Sequence, residues 1–400
     1  MGIRKFKADY LFNGHEMLTS DAVLITEDNG IITGISDVRD AGENIEMYKG
    51  IITPGFINTH CHVELSHMKG RIPPGTGLIE FLTRVIKERN ITKERITQAM
   101  QMAEEEMYKA GIVAVGDICN TGDSASIKTH SKIDWFNFIE VIGFNEKDAP
   151  ARIEYAVSVM GEFENNSRLI VQMPANNASL SPHAPYSVSQ KLFELINEVS
   201  AGKIISIHNQ ESEAENELYL YKTGALFELY KNLNINAEAF KSTGKTSVQS
   251  YLPWLNKAAG IILVHNTYIH AEDILFALGD TNSPINHSFC ICINANRYIQ
   301  SANPPINLLR NLNATITLGT DSYASNKQLN ILEEMKTIHR EFAEIPLAEI
   351  LQWATINGAK ALNMQDKLGS FDSGKQPGIV LISNIDHKHL SVNSIATRLL

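Results

Sequence analysis

Short apolar runs alternate with helical patterns through most of this 400-residue chain, and this alternation restricts its fold more than any other feature. The candidate strands are residues 51–58, 112–118, 135–141, 169–173, 204–208, 261–265, 289–293 and 314–318. Between them, residues 98–109 and 329–342 have the clearest helical periodicity. No GxGxxG motif follows a candidate strand, which argues against a dinucleotide-binding sheet. The pattern therefore predicts an α/β protein built on a parallel (β/α)8 TIM-type barrel.

The two ends of the chain have a different pattern. Residues 1–50 contain short alternating segments around the tight-turn pair Asn29-Gly30, which are typical of a small β domain. The C-terminal stretch LGSFDSGKQPGIVLISN is also rich in turn residues and then in β-branched residues. We therefore predict that residues 1–53 and 366–400 form one composite β-sandwich domain, and that residues 54–365 form the barrel.

Composition excludes several classes of function. The formal net charge is -10 and no Lys/Arg cluster is present, which disfavours binding to nucleic acid or to an anionic membrane. No apolar run approaches the roughly 18 residues of a membrane span. The four cysteines do not have the spacing of a disulfide framework or a zinc knuckle. A reducing, cytoplasmic compartment is therefore the expected location.

Polar side chains lie at the ends of several candidate strands. His60 and His62 end the first strand, and because side chains alternate along a strand they point to the same face. His208 ends the fifth strand, His265 the sixth, and Asp321 follows the eighth. A single histidine at a strand end is more often structural, but in a barrel all of these positions converge on one rim. Imidazoles with one carboxylate and one open position are typical of a catalytic zinc or iron site.

Glu211 lies three residues after His208, in the segment HNQESEAE. A carboxylate at this spacing can lie beside a metal without binding it, and can transfer a proton from water to a leaving nitrogen. The alternative is that the acidic residues simply favour the first turn of a helix. We prefer that alternative for Glu213, Glu215 and Glu217, and a catalytic role for Glu211.

Four motifs occur in a familiar order: PGFINTHCH, IHNQE, LVHN and LGTDS. Together they resemble the amidohydrolase superfamily, in its cytosine deaminase and chlorohydrolase-like branch. The segments SPHAPYSVS and GTDSYASNKQLNILEEM are similar to segments of aminofutalosine deaminases and of adenosylhomocysteine/methylthioadenosine deaminases. The resemblance covers nearly the whole chain. One departure is Pro377-Gly378, which replaces the Ala-Asp pair that usually precedes the last strand.

The resemblance implies a metal site and a mechanism. His60, His62, His208 and Asp321 would hold one divalent metal ion, with Zn²⁺ expected first and Fe²⁺ or Mn²⁺ as alternatives. Water acidified by the metal and Asp321 would attack a carbon that carries an amino group. His265 would orient the nucleophile or polarise the substrate, and Glu211 would carry the proton to nitrogen. Binuclear relatives have a bridging lysine after the fourth strand; residues 168–187 contain no lysine, which favours one metal.

The predicted function is hydrolysis of a non-peptide carbon–nitrogen bond, most simply deamination of an amino-substituted heterocycle such as an aminofutalosine-like adenine nucleoside. Hydrolysis of a cyclic amide or of a chloro-substituted ring is the nearest alternative, and a non-catalytic barrel scaffold is the alternative of another class. The expected partner is a small-molecule substrate, without nucleic acid or membrane; a homodimer is left open.

Two further residues are candidates for substrate binding. Glu64 follows His62 by two residues and could reach the site, or could instead pair with Arg71. His183, in SPHAPYS, resembles a substrate-contacting position of the nucleoside deaminases; its alternative is a loop histidine satisfied by backbone groups.

Overall fold

The computed structural model describes residues 2–167, 177–238, 240–279 and 285–400. The strands that form the terminal sheets are β1 (Ile3–Lys7), β2 (Tyr10–Phe12), β3 (Met17–Leu18), β4 (Ala22–Glu27), β5 (Ile32–Asp37), β6 (Ile45–Met47), β7 (Ile51–Pro54), β16 (Ile379–Ser383) and β17 (Ile395–Arg398). The strands of the central part are β8 (Phe56–Cys61), β9 (Ile112–Cys119), β10 (Asp134–Val141), β11 (Ala178–Pro182), β12 (Ile204–Asn209), β13 (Gly260–His265), β14 (Asn286–Ile291) and β15 (Thr315–Leu318).

Helices connect and cover these strands. They are α1 (Leu78–Glu88), α2 (Lys93–Lys109), α3 (Ala125–Thr129), α4 (Ala149–Ser167), α5 (Gln190–Val199), α6 (Glu213–Tyr221), α7 (Leu226–Asn232), α8 (Ser247–Tyr251), α9 (Ala271–Leu278), α10 (Ile293–Gln300), α11 (Ile306–Asn311), α12 (Ile331–Glu341), α13 (Leu347–Ala354) and α14 (Ile356–Ala361). No helix in these ranges is long and apolar enough to cross a membrane.

The central strands form two parallel sheets that close on each other. One sheet contains β8 to β11 and the other contains β12 to β15, each in sequence order. The His208 amide donates to the His183 carbonyl at 2.9 Å, which joins β12 to the end of β11. The Asp321 amide donates to the His60 carbonyl at 3.1 Å, which joins the end of β15 to β8. Every residue of β8, β9 and β12 is buried, as expected for strands covered on both faces. The predicted barrel is therefore confirmed.

The fourth barrel strand differs from the prediction. The structure has β11 at Ala178–Pro182, paired in parallel with β10. The predicted strand at residues 169–173 lies outside the described residues. That prediction rests only on a run of apolar residues, whereas the observed strand, ASLSP, contains two serines. Their hydroxyls are satisfied inside the barrel, since Ser179 Oγ donates to the Ile204 carbonyl and Ser181 Oγ accepts from the Ser206 amide.

Both chain ends contribute to one terminal sheet. Its strand order is β17-β16-β7-β2-β3, and β16 runs antiparallel to β7 with Ile382 opposite Ile51. A second sheet, β5-β4-β1-β6, supplies the other side of a small core that includes Phe6, Leu24, Ile52 and Phe371. These pairings agree with the predicted composite domain, while its exact boundaries stay a prediction.

One residue, Gly55, separates β7 in the terminal sheet from β8 in the barrel. A Cβ atom at this position would lie 2.2 Å from Val113 Cγ1 and 2.7 Å from the Pro377 carbonyl oxygen. Only glycine fits such a close approach of two backbones. The strand that carries His60 and His62 is thus a direct continuation of a strand in the terminal sheet.

Candidate active site

Four side chains converge at the C-terminal ends of the barrel strands. They are His60, His62, His208 and Asp321, whose ligand atoms all lie within 4.8 Å of one another. His62 Nε2 is 3.2 Å from His60 Nε2 and 3.3 Å from His208 Nε2, and Asp321 Oδ1 is 3.4 Å from His62 Nε2 and 3.6 Å from His60 Nε2. Ligands of a tetrahedral zinc ion with bonds of 2.0–2.1 Å are separated by about 3.3–3.4 Å. The donor atoms therefore already have the spacing of a metal site.

The protonation of these side chains suits metal binding. Burial lowers the pKa of His60 and His208, and lowers that of His62 to about 4, so the imidazoles are neutral at pH 7. His208 Nδ1 lies 2.7 Å from the His183 carbonyl, which can only accept, so Nδ1 carries the proton and Nε2 offers its lone pair to the cluster.

Asp321 is held as a carboxylate. Burial opposes its ionisation, but His60 and the other imidazoles beside it bring its pKa well below the ordinary value. One oxygen faces His60 and His62, and the other accepts a hydrogen bond from Ser325 Oγ. The backbone of Asp321 has a φ of 57°, in the left-handed region that is costly for a non-glycine residue and recurs at functional sites.

Glu211 and His265 lie side by side next to this cluster. Glu211 Oε1 is 3.8 Å from His265 Nε2, and both side chains are buried. His265 Nδ1 is 2.8 Å from Asn296 Oδ1, while the amide nitrogen of Asn296 donates to the His265 carbonyl and to Thr267. Nδ1 of His265 therefore donates to Asn296, and its Nε2 faces Glu211. Burial raises the pKa of Glu211, which favours a carboxyl group that can hold a proton.

A cavity opens onto the cluster. It encloses about 1000 Å³, including its mouth, and its polar wall contains His62, His208, Glu211, His265 and Asp321. Its other walls are mostly apolar, with contributions from Leu65, Phe81, Val85, Phe144, Leu229 and Tyr230. An apolar cavity with a few convergent polar groups at one end is typical of a site for a small molecule.

The two candidate substrate contacts have different positions. His183 lines the cavity, and its Nδ1 is 2.7 Å from Ser187 Oγ. Glu64 does not line the cavity: its carboxylate accepts hydrogen bonds from the amides of Asn120 and Thr121 at 3.1 and 3.2 Å. Glu64 lies in a 3-10 helix, Val63–Met68, that follows the end of β8 at Cys61. Substrate binding by Glu64 stays a prediction; in the structure its carboxylate is bonded to backbone amides and does not pair with Arg71.

Sequence reasoning missed Glu140, which lines the cavity near the end of β10. The signal that identified the histidines was also present here, because Glu140 is a charged residue near the C-terminal end of an otherwise apolar strand. It was overlooked because no motif drew attention to the third strand.

Comparison with known proteins identifies the family. The model of the amidohydrolase family matches residues 51–397, which is most of the chain. The chain belongs to the amidohydrolase family. This confirms the resemblance drawn from PGFINTHCH, IHNQE, LVHN and LGTDS, and with it the barrel fold of this amidohydrolase. The prediction of a site suited to a divalent metal ion is confirmed as well, whereas the role of each residue stays a prediction.

Individual relatives of this amidohydrolase are distant but span nearly its full length. A 5-methylthioadenosine/S-adenosylhomocysteine deaminase of Teredinibacter turnerae is 25% identical over 391 residues, which are 93% of this chain and 81% of the relative. A crystal structure of Helicobacter pylori aminofutalosine deaminase with methylthio-coformycin matches with a TM-score of 0.79 at 20% identity, covering 99% of this chain and 100% of that one. An adenosine deaminase of Xanthomonas campestris with bound zinc matches with a TM-score of 0.68 at 20% identity, covering 94% and 84%.

Proposed function

We propose that this amidohydrolase is a metal-dependent aminohydrolase that deaminates an amino-substituted heterocycle of the adenine-nucleoside class, such as an aminofutalosine-like compound. The observation that carries the proposal is the spacing of 3.2–3.6 Å among the donor atoms of His60, His62, His208 and Asp321, beside Glu211 and His265 and at the end of one cavity. The deaminases among its relatives support the same reaction.

In this proposal His60, His62, His208 and Asp321 hold one divalent ion, with Zn²⁺ first and Fe²⁺ or Mn²⁺ as alternatives. Such an ion supplies water of greatly lowered pKa as the nucleophile. The zinc of the Xanthomonas campestris structure supports this assignment. A single ion is proposed because this chain has no lysine in residues 168–187.

The protein groups then move the protons. The carboxylate of Asp321 accepts a proton from the attacking water. The Nε2 lone pair of His265 accepts a hydrogen bond from the same water and orients it, because Nδ1 is already committed to Asn296. Glu211, whose burial favours the protonated form, delivers a proton to the nitrogen that leaves as ammonia.

The test is release of ammonia by the zinc-loaded protein from a panel of amino-heterocycles. The panel contains 5'-deoxyadenosine, 5'-methylthioadenosine, aminofutalosine, adenine and guanine, together with a cyclic amide and a chlorotriazine. We expect ammonia from at least one adenine nucleoside, and loss of activity when a chelator removes the metal. Ring opening or chloride release without ammonia from any compound would instead favour the alternative reactions, and no product at all would favour a non-catalytic scaffold.

We also propose that the enzyme acts in the cytoplasm on a freely diffusing small molecule. The support is the acidic net charge and the four buried free thiols, which are compatible with a reducing compartment. A homodimer stays a prediction, and light scattering of the purified protein measures it directly.

A further inference from the structure

One carboxylate oxygen in the cavity wall has no hydrogen-bond partner among the described residues. It is Oε1 of Glu140, whose side chain is 5% exposed. A buried polar atom of this kind costs free energy unless a partner reaches it. Because Glu140 is one of the residues that line the cavity, a ligand bound there that carries the donor would remove this cost.

The other oxygen of Glu140 is firmly held. Asn120 Nδ2 donates to Oε2 at 2.6 Å, and Arg89 in turn donates to Asn120 Oδ1 at 3.2 Å. The backbone amide of Asn120 donates to Glu64. The loop that Glu64 binds therefore positions Asn120, and Asn120 orients Glu140. Since Oε2 is occupied, Oε1 is the oxygen that remains to accept a hydrogen bond from a ligand.

Glu140 lies beside His208, near the ring nitrogen that does not belong to the metal cluster. Its Oε1 is 3.9 Å from His208 Nδ1, the ring nitrogen that is turned away from the cluster. A donor that reaches Oε1 must therefore belong to a part of the substrate several ångströms from the carbon that loses its amino group. The other two carboxylates of the cavity lining, Glu211 and Asp321, belong to the proposed catalytic group, and the remaining wall is mainly apolar.

A second metal ion is a poor explanation for the unpaired oxygen. Glu140, His183 and His208 do place potential ligand atoms within 4.8 Å of one another. However, His208 Nδ1 donates a hydrogen bond to the His183 carbonyl, and its Nε2 belongs to the first cluster. Only Glu140 and His183 remain as ligands, which is too few for a stable protein-bound divalent ion.

We propose that Glu140 determines substrate specificity by accepting, at Oε1, a hydrogen bond from an O–H or N–H group of the substrate that is remote from the reacting amino group. In a nucleoside this donor is a sugar hydroxyl, because an N9-substituted adenine ring has no donor except its amino group. In a free base it is a ring N–H. The inference rests on the proposed deaminase function and names a recognition residue for it.

The test compares compounds that differ only in this donor. Dissociation constants are measured by calorimetry on the zinc-loaded protein in a Glu211→Gln background, which prevents turnover. 5'-Deoxyadenosine is paired with its 2',5'- and 3',5'-dideoxy analogues for the sugar hydroxyls, and adenine is paired with 9-methyladenine for the ring N–H. Each pair is measured with Glu140 and with Glu140→Gln, which keeps the size of the side chain but reverses the hydrogen-bonding character at Oε1.

We expect removal of the donor to weaken binding by about ten- to a hundredfold when Glu140 is present, as for a hydrogen bond to a charged group. Glu140→Gln should weaken binding of the parent compound by a similar factor. The two losses should not add, because each removes the same hydrogen bond. Loss within the sugar pairs identifies a hydroxyl donor, and loss within the base pair identifies a ring N–H.

Losses that add in every pair, or an unchanged dissociation constant for Glu140→Gln, would overturn the proposal, since a merely structural role weakens all compounds equally. Glu146→Gln, an exposed residue in the next loop, is the matched control for charge and should bind like the parent. If Glu140→Gln does not fold, the same dissociation constants are measured with Glu140→Asp. This variant keeps the negative charge, but its shorter side chain places the carboxylate oxygen out of reach of the substrate donor. If the protein with the native Glu211 binds these compounds but releases no ammonia from any of them, the proposed function is refuted. The comparison of dissociation constants would still test the role of Glu140 in binding.

Discussion

At the scale of single residues, chemistry depends on which atoms are already engaged. His208 and His265 each commit one ring nitrogen to a fixed acceptor, the His183 carbonyl and the Asn296 amide oxygen. Each therefore offers the other nitrogen as a lone pair, one to the cluster and one to the space beside Glu211. The same reasoning separates Glu64, whose oxygens are engaged by backbone amides, from Glu140, which has one oxygen free.

The first prediction concerns Glu211. Glu211→Gln should lower kcat by about a hundredfold or more, since it removes proton transfer to the leaving nitrogen. Zinc content should stay the same, because Glu211 is outside the group of four donor residues. The measurement is steady-state ammonia release together with metal analysis, and Glu213→Gln, an exposed neighbour, is the control. Retained activity would refute the assigned role.

The second prediction concerns close packing behind the cluster at Gly319. A Cβ there would lie 2.7 Å from Cys290 Sγ and 2.9 Å from both Cys292 Sγ and His60 Cβ. Gly319→Ala should therefore displace His60 and weaken zinc binding by about ten- to a hundredfold, as other changes around metal ligands do. Competition with a chromogenic chelator measures the affinity. Gly161→Ala, where a Cβ meets nothing within 4 Å, should leave it unchanged. Equal affinities of the two variants would contradict this account.

At the scale of elements, buried polar groups hold the strands in place. Asp117 on β9 accepts from the Val63 amide, directly after His62, and from Lys128 Nζ on α3 at 2.6 Å. Lys128 also donates to Asn137 on β10 at 2.7 Å. Burial disfavours a charged lysine, but the carboxylate of Asp117 holds the pKa of Lys128 above its ordinary value. One ion pair thus connects the first three barrel strands beneath the histidines.

The third prediction follows from this ion pair. Lys128→Met should lower the free energy of unfolding by about 3–5 kcal/mol, because it leaves the carboxylate of Asp117 buried without its cation. Urea denaturation measures the change. Lys109→Met, which removes an ion pair whose lysine is 71% exposed, should cost at most about 1 kcal/mol. If the two variants lose similar amounts of unfolding free energy, the buried ion pair stabilises the fold no more than an exposed one does.

The fourth prediction concerns pH and the start of α6. Glu215 accepts from the Gln210 amide and from Ser247, and burial raises its pKa to about 8. A carboxyl group whose pKa is higher in the folded state binds its proton more tightly there than in the unfolded chain. It therefore stabilises the fold at low pH, and this contribution is lost as pH rises from about 4.5 to about 8.

Glu215→Gln should remove this pH dependence. Between pH 5 and pH 8 the stability of the native protein should fall more steeply than that of the variant, by up to about 1.4 kcal/mol per pH unit. Urea denaturation at several pH values gives both curves. The control is Glu217→Gln, an exposed residue two positions along the helix. If the free energy of unfolding depends on pH in the same way for the native protein and Glu215→Gln, Glu215 is not protonated in the folded state.

At the scale of the whole molecule, the terminal sheets and the barrel share backbone. β7 leads into β8 through Gly55, and β16 from the C-terminal end pairs with β7. Arg398 on β17 donates to the Ile112 carbonyl, at the start of barrel strand β9, at 2.6 Å and to the Tyr108 carbonyl, near the end of α2, at 3.1 Å. The C-terminal strands thus brace the start of the barrel: β16 pairs with the strand that leads into β8, and Arg398 binds α2 and β9.

The fifth prediction tests this brace. Arg398→Gln should lower the free energy of unfolding by about 1–3 kcal/mol, since it leaves two carbonyls without a charged donor. Arg39→Gln, whose side chain is 84% exposed in the native protein, should change stability by less than about 1 kcal/mol. Chemical denaturation of both variants provides the comparison. If Arg398→Gln is as stable as the native protein, the terminal sheet adds nothing through this contact.

The barrel and a metal-type site at its rim could be predicted from the sequence alone, because both depend on repeated local patterns: apolar strands separated by helices, and polar residues at their C-terminal ends. Which residues bind the metal stays a prediction. The sequence also determined that the chain ends are β-rich. The site can be predicted from the sequence because a parallel barrel brings the C-terminal ends of all its strands to one rim.

Only the tertiary structure decided how individual polar groups are used. The fourth described barrel strand is Ala178–Pro182, where serine hydroxyls form hydrogen bonds inside the barrel. In the folded chain the Glu64 carboxylate is bonded to the amides of Asn120 and Thr121, and one buried oxygen of Glu140, a cavity-lining residue, has no hydrogen-bond partner among the described residues. The physical reason is that local periodicity sets which face of an element a residue occupies, whereas hydrogen-bond partners come from segments far away in the chain, and only folding brings them together.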